Sequence, residues 1–473
     1  MTGQELAFAP AWKLVEMISS KKISSTELTK LFLERIERLD PQLNAYITVV
    51  ADQALAAASK ADAAVEDGEP LGPLHGVPIG IKDLAGTKGI RTTRGSLALK
   101  DFVPDVDEVM VSRVKNAGAV ILGKTNLPEF GHLPTNENRL GDACRNPWDI
   151  SMTSGGSSGG AAAGLAAGLH PLATGTDAGG SIRIPASLCG VYGIRPSQGR
   201  VPKFYQPPGG WMVFAQAGPM ANTVKDAAVL LQVMAGPHAS DPTALRQSPP
   251  DFTKNLDSGV KGLSVGWSAD LGSLPVDSEV RRVTTEAAHA FEAMGARVSE
   301  ISVVLDHANI LDVFKTIFMS DLAAGAGGLA ATRGDELSPS LLTLIEETRT
   351  WPVSKLALAL RELEWHRVRM DELMGKFDLL LTPSVATTAF PVGLSPSVID
   401  GQSVDPVWGF TPFSYPFNMS GHPAASVPCG FSINGLPIGL HIAGQFGGEA
   451  TVLRASAAYE SAHPWANRRP ALA

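Results

Sequence analysis

Cysteine is scarce in this sequence. The 473 residues contain three, Cys144, Cys189 and Cys429, far apart and without a CxxC pair. That pattern excludes a disulfide framework or a cysteine zinc site; it fits a reducing compartment and small buried side chains. Charge is thin as well: 18% of residues are Asp, Glu, Lys or Arg, 39 basic against 47 acidic, for a net charge of −8. An acidic surface has the wrong sign for nucleic acid or an anionic membrane as the main partner. No apolar run reaches the ~20 residues that span a bilayer; the least polar stretch, 161–173, is short and rich in Ala and Gly. The opening MTGQELAFAPAWKLVEMISSKK has no basic start followed by an apolar segment, so no signal peptide is expected and the chain reads as soluble and cytoplasmic. The ten histidines are scattered, none within a glycine cluster and none at metal-ligand spacing. No metal and no cofactor are expected.

What the sequence does have is turn formers, with 48 Gly and 34 Pro, and a clear succession of elements. Residues 8–67 are expected to be helical. Ser24-Ser25-Thr26-Glu27 reads as a capping box ahead of Leu28, Leu31, Phe32, Ile36 and Leu39, which share one helical face. Strands are expected over 77–81, 119–122, 172–174, 264–267 and 296–303, alternating with helices over 109–117, 160–168, 224–235 and 278–294. Such alternation points to an α/β fold with helices on both faces of a sheet. Residues 305–375 read as mostly helical, with a glycine-containing break at 325–334 and a helix at 354–375, in the manner of a cap over a site. Strands return at 378–382, 424–428 and 436–443. The return of sheet pattern after the helices argues for one interrupted domain over 1–473: N-terminal helices at 1–67, a core at 68–200, the cap at 305–375 and the sheet return at 376–473. Residues 204–214 and 408–417 read as long aromatic loops of the kind that line binding sites.

Glycine is concentrated where chemistry is expected. Residues 153–185 read TSGGSSGGAAAGLAAGLHPLATGTDAGGSIRIP, two serine-bearing glycine clusters around one Ala/Gly/Leu segment. Small residues ahead of Ser181 leave the N–H groups of Ala178, Gly179, Gly180 and Ser181 free to converge on one oxygen; losing one such donor raises a barrier by about 3–4 kcal/mol. In isolation the same residues also read as a plain Gly-Gly turn before a surface serine. Ser157 lies in Gly155-Gly156-Ser157-Ser158-Gly159, a match to the nucleophile elbow, which requires a strand before it and a helix after it. The helix is expected, but 149–154 is polar and turn-like. No Gly-Lys-Ser/Thr follows, which argues against a phosphate loop. Lys82 closes the apolar run 77–81, where a lysine is either paired, for example with Asp83, or functional. To act as a base it must lose its charge near neutrality, a bias of about 4 kcal/mol that burial and nearby cationic dipoles favour.

Together these segments resemble the amidase signature family of serine hydrolases. The resemblance is carried by Gly76–Asp83, by GAVILGKTNLPEF at 118–130, by Arg145-Asn146-Pro147-Trp148, by 153–197, and by PFNMSGHPAASVPCGF and GLPIGLHIAG within 416–460. Ser157 stands 24 residues and Lys82 99 residues before Ser181, as in the family. The resemblance implies a three-layer α/β/α fold on a large mixed, mostly parallel sheet. It implies Ser181 as nucleophile, Ser157 (after a cis peptide bond) as bridging serine and Lys82 as base. It implies an oxyanion hole from Ala178 to Ser181, with Ser158, Thr176, Asp177 and Arg183 in support. Substrate contacts are expected from Phe130, Gly131, Gly156, Tyr205, Trp211 and Phe214, with Phe204, Trp408, Phe410, Phe413 and Tyr415 as further aromatic candidates. One departure is Ser154, where members often carry proline. Aromatic linings suit an apolar or aryl amide, most simply an aryl acylamide, or an aryl carbamate or ester. The expected partner is that small molecule, with no nucleic acid and no membrane, and the chain is expected as a monomer or homodimer. Three other readings stay open: the amidase-like glutaminase subunit of a tRNA-dependent amidotransferase, a non-catalytic binding protein, and a hydrolase with Ser157 as nucleophile and His422, His441 or His463 as base.

Overall fold

The computed structural model describes residues 1–203, 213–303 and 305–472. Eleven segments pair into one sheet: β1 Tyr46–Val49, β2 Pro78–Lys82, β3 Val120–Thr125, β4 Leu172–Asp177, β5 Tyr192–Arg195, β6 Gln216–Ala221, β7 Ser264–Trp267, β8 Arg297–Glu300, β9 Leu379–Pro383, β10 Ala424–Phe431 and β11 Pro437–Gly444. Their order is β1-β3-β2-β4-β6-β5-β10-β11-β9-β7-β8. Central strands such as β2, β4 and β9 are buried at every position. Burial on both faces explains the apolar starts of β2 and β9, since helices cover the sheet on each side in a three-layer arrangement; β4, by contrast, turns polar from Thr174 to Asp177. The edge strand β8 is mostly exposed, and its polar Arg297-Val298-Ser299-Glu300 suits an edge.

The sheet is large and mixed, as expected, but parallel pairs do not dominate it. Neighbours run parallel at β3–β2, β2–β4, β9–β7 and β7–β8, and antiparallel at every other junction. One physical reason is a short connection: β10 and β11 form a hairpin through a turn at Gly435 (φ 78°), and a connection that short forces antiparallel pairing. The other is β6, which lies between β4 and β5 and runs antiparallel to both.

Other expectations shift in detail. Strand β1 interrupts the helical stretch expected over 8–67 and closes one sheet edge against β3. Asp149–Thr153 is a strand after all, but it pairs with Arg145–Asn146 in a separate two-stranded ribbon, outside the main sheet. The segment expected as a strand over 296–303 pairs only at Arg297–Glu300. Helix His307–Arg333 runs straight through the expected glycine break, and the turn falls at 334–338 instead. Gly327 and Gly328 take no left-handed backbone, so nothing there breaks the helix.

Two features place the site. β2 and β4 are parallel neighbours, so their C-terminal ends meet: Lys82 ends one and Asp177 the other. Ligands bind in open α/β sheets beyond such strand ends. Helices Gly159–Ala166 and Arg183–Cys189 start just after the two serine clusters and are wholly buried. Between β8 and β9, helices His307–Arg333, Pro339–Arg349 and Val353–Met374 pack on one another and share an apolar cluster with Phe130, Phe214, Trp408 and Tyr415. Among the described residues no helix is long and apolar enough to cross a membrane.

Candidate active site

Lys82 is fully buried at the end of β2. Its Nζ lies 2.8 Å from Ser157 Oγ, 2.9 Å from Ser158 Oγ and 2.8 Å from Thr176 Oγ1. Asp83 does not pair with it. That carboxylate accepts from the Thr93 N–H and hydroxyl and faces Lys124 Nζ at 3.9 Å. Adjacent residues on a strand point to opposite faces, which separates the two side chains. Burial pushes Lys82 down to about 7, against a smaller opposing pull from Asp177. A neutral amine donates two hydrogen bonds and accepts one, so three hydroxyls around it are partners for either proton state.

Ser157 follows a cis peptide bond from Gly156, whose N–H donates to Pro134 O at 2.7 Å. Ser158 N–H donates to the Ser181 carbonyl at 3.0 Å, which ties the two serine clusters together. Ser181 is 9% exposed, and its Oγ makes no hydrogen bond among the described residues. Gly131 (φ 69°) lies against Ser157: a Cβ there would sit 3.1 Å from Ser157 Oγ.

The loop after β4 is shaped by Asp177. Oδ1 accepts from Gly180 N at 2.8 Å and Oδ2 from Ile182 N at 3.2 Å. Arg183 clasps the same carboxylate through Nε and a terminal nitrogen, each at 2.9 Å, in the bidentate geometry that makes such pairs strong. Asn418 Nδ2 adds a donor at 2.7 Å. Burial alone would raise the Asp177 carboxyl, but Arg183, Arg195 and Asn418 outweigh it and hold it well below the usual carboxylate range. The oxyanion set expected from the sequence is thereby narrowed. The Gly180 N–H is engaged by Asp177, while those of Ala178, Gly179 and Ser181 have no acceptor among the described residues.

A lysine amine, two serine clusters and a nest of open N–H groups make up acyl-transfer equipment. The pattern of the Amidase family matches residues 27–453. The chain belongs to the amidase family. An acylamidase of Rhodococcus erythropolis is 35% identical over 475 residues, covering 100% of this chain and 99% of that protein. A glutamyl-tRNA(Gln) amidotransferase subunit of Geobacter sp. (strain M21) is 36% identical over 483 residues, covering 96% and 97%. The crystal structure of a bacterial aryl acylamidase of the amidase signature family superposes with a TM-score of 0.92 at 33% identity, covering 97% of each chain. The amidase described here is a hydrolase of carbon–nitrogen bonds in amides.

A buried aromatic group packs beside the serine loops. Phe314 stacks on Phe214 and Tyr415, with ring centroids 5.9 and 5.1 Å apart, and meets Trp408 edge-on at 4.9 Å. This group abuts the loop before Ser181: a Cβ on Gly179 would sit 2.7 Å from Phe314 Cζ and 3.0 Å from Trp408 Cζ3. Phe130 (φ 50°) belongs to the same cluster. Phe410 and Phe413 do not; they pack in a separate core with residues such as Val276 and Val385. Phe204, Tyr205 and Trp211 lie outside the described residues. Sequence reasoning missed Phe314, Phe318 and Asn418. The i, i+4 spacing of Phe314 and Phe318 on one helix was the available signal. Asn418 lies in the NMSGHP stretch without a chemical cue of its own.

No histidine hydrogen-bonds to Ser157 or Ser181 among the described residues. His441 Nε2 is 2.9 Å from an Arg183 nitrogen, and burial with that neighbouring charge drives its pKa well down. His422 bridges Ser420 Oγ at 2.9 Å and Asp371 at 3.3 Å. His463 stacks on Tyr459. These histidines are occupied with structure rather than with either serine.

Proposed function

We propose that this amidase hydrolyses apolar or aryl amides, aryl acylamides above all, through an acyl-enzyme on Ser181. Neutral Lys82 takes the Ser157 hydroxyl proton as Ser157 takes that of Ser181. Ser181 Oγ attacks the amide carbonyl carbon, and the oxyanion falls among the N–H groups of Ala178, Gly179 and Ser181. The proton returns through Ser157 to the nitrogen, the carbon–nitrogen bond breaks and the amine departs. Water then attacks the ester and releases the acid. The observation that carries this reading is a fully buried amine 2.8 Å from Ser157 Oγ, with a pKa of about 7. The aromatic group beside Gly179 supports an apolar or aryl acyl or amine portion, and an aryl carbamate or ester would undergo the same attack. Ser158, Thr176, Asp177 and Arg183 act in support.

We read residues 1–473 as one domain, with 305–375 capping the cleft, acting on small molecules as a monomer or homodimer without nucleic acid or membrane. Three free thiols support a cytoplasmic setting. The test is a panel of p-nitroanilides, carbamates and small polar amides run on the wild type and on Ser181→Ala, together with fluorophosphonate labelling. Near-complete loss of turnover and of label in Ser181→Ala is expected, with Lys82→Ala equally inactive. Full activity in Ser181→Ala overturns the mechanism, and activity confined to small polar amides overturns the aryl preference.

The amidotransferase relative, at comparable identity, supports a second reading, a glutaminase that works within a larger amidotransferase. Glutamine hydrolysis that appears only on addition of partner subunits would favour it. Turnover of anilides by the purified chain alone would dismiss it.

A further inference from the structure

Outside the catalytic group, one buried carboxylate joins two parts of the fold that are distant in sequence. Glu129 is 3% exposed. Its Oε1 accepts the Ser96 hydroxyl at 2.5 Å, and its Oε2 accepts the backbone N–H of Ser338 at 2.7 Å. Ser338 is the N-cap of helix Pro339–Arg349, in the three-helix segment. His132, also buried, repeats the bridge: Nδ1 lies 2.6 Å from Glu129 O and Nε2 2.9 Å from Ser340 Oγ. The turn around this seam is held from both sides. Arg333 donates to Ala98 O at 2.6 Å, and Arg139 donates to Asp335 O and Leu337 O, each at 2.8 Å.

Between Glu129 and His132 lie Phe130 and Gly131. Phe130 donates its N–H to Arg94 O at 2.7 Å and sends its ring into the cluster with Phe314 and Trp408. Gly131 faces Ser157 Oγ. The four residues thus have their ends fastened to the three-helix segment and their middle against the relay serine. Phe314, on the same segment, stands against the loop before Ser181. A carboxylate suits this place because it offers two acceptor oxygens in one plane, one for each partner.

We propose that Glu129 is a positioning residue that sets the width of the substrate cleft, by fixing the three-helix segment and its aromatic wall against the segment that carries Phe130 and Gly131. The inference rests on the reading of Ser181 and its surroundings as the catalytic site. Glu129 touches neither the substrate nor the reacting atoms, so its effect falls on how bulky substrates are held rather than on the proton relay.

The test compares the wild type with Glu129→Ala, Glu129→Gln and Ser338→Pro. Ser338 has φ −68°, within the range proline adopts, so Ser338→Pro removes the N–H donor at little conformational cost. Gln keeps one acceptor for Ser338 and turns its amide toward the Ser96 hydroxyl, so it preserves both contacts. KM for a bulky aryl acylamide is expected to rise about tenfold in Glu129→Ala and Ser338→Pro, the scale of one lost charge-assisted hydrogen bond. Their kcat is expected to stay near wild type, and Glu129→Gln is expected to restore KM. Hydrogen–deuterium exchange over 340–341 should quicken in Glu129→Ala and Ser338→Pro only. If Glu129→Ala fails to fold, Ser338→Pro carries the test. An unmoved KM in Ser338→Pro, or Glu129→Gln as impaired as Glu129→Ala, overturns the inference. A wild type that labels at Ser181 and turns over anilides while these variants behave normally sinks the inference alone. A wild type that does neither sinks the catalytic reading, and the inference with it.

Discussion

At Lys82, burial favours the proton state that the proposed mechanism needs. Stripped of water, the amine sheds its proton at about 7 instead of 10.5, and only the neutral form can take a proton from Ser157. The sign follows: kcat/KM should rise with pH through about 7 as Lys82 deprotonates, then level off. Stability should also climb between about 7 and 10.5, because in that window the unfolded chain holds a proton that the folded one has lost. A pH–rate profile flat from 5 to 9 (chosen to bracket about 7) would contradict the assignment. Part of this residue-scale picture was legible in the sequence: a lysine closing an apolar run and two glycine-flanked serines are the groups that the fold brings together. The fate of individual N–H groups was not. Gly180 and Gly179 look alike in the sequence, but the Asp177 side chain folds back onto Gly180, whose φ is 123°, and not onto Gly179. Asn418, 241 residues from Asp177, was equally hidden, because nothing local marks an amide that serves a distant carboxylate.

Among the elements, those with strong local signals were legible and those held by tertiary pairing were not. The capping box at Ser24 is present: Ser24 Oγ accepts from Glu27 N at 3.0 Å and Glu27 Oε2 from Ser24 N at 2.9 Å. Ser24→Ala should therefore lower unfolding free energy by about 1 kcal/mol, measured by urea denaturation, with activity unchanged. Strand β6, by contrast, reads Gln216-Ala217-Gly218-Pro219-Met220-Ala221, poor in β-branched residues and broken by Gly and Pro. Its place between β4 and β5 comes from pairing on both sides, which no window of sequence displays. The glycines at 327–328 misled in the opposite sense: helix His307–Arg333 carries them because its buried face before them, with Phe314, Ile317 and Phe318, and the half-buried Leu329 and Ala330 after them pack on one apolar cluster. β1 was missed because four residues between two helices carry too little pattern to declare a strand.

At the scale of the molecule, one sheet takes strands from residues 46 to 444 and brings the chain back to itself after the three-helix segment. Burial raises the thiols of Cys144, Cys189 and Cys429 above their ordinary range and keeps them protonated. A thiol reagent such as Ellman's should leave Cys144 and Cys189 untouched in the native protein, reach the half-buried Cys429 slowly, and titrate all three cysteines once the chain is denatured. Rapid labelling of Cys144 or Cys189 in the native form would show that the interior is more open than its packing indicates. The return of a strand near 378 was readable in the sequence; the direction of each strand was not, since direction depends on connections that loop residues do not encode.

On the proposed mechanism, the groups that would break the bond hang from the rim of the sheet, on β2 and the turns beyond it, whereas Phe314 and Phe318 hang from helix His307–Arg333, from another stretch of chain. On that reading chemistry and taste are inherited separately. A chimaera that receives the helical stretch of a cousin enzyme should keep its host's machinery and acquire the donor's diet.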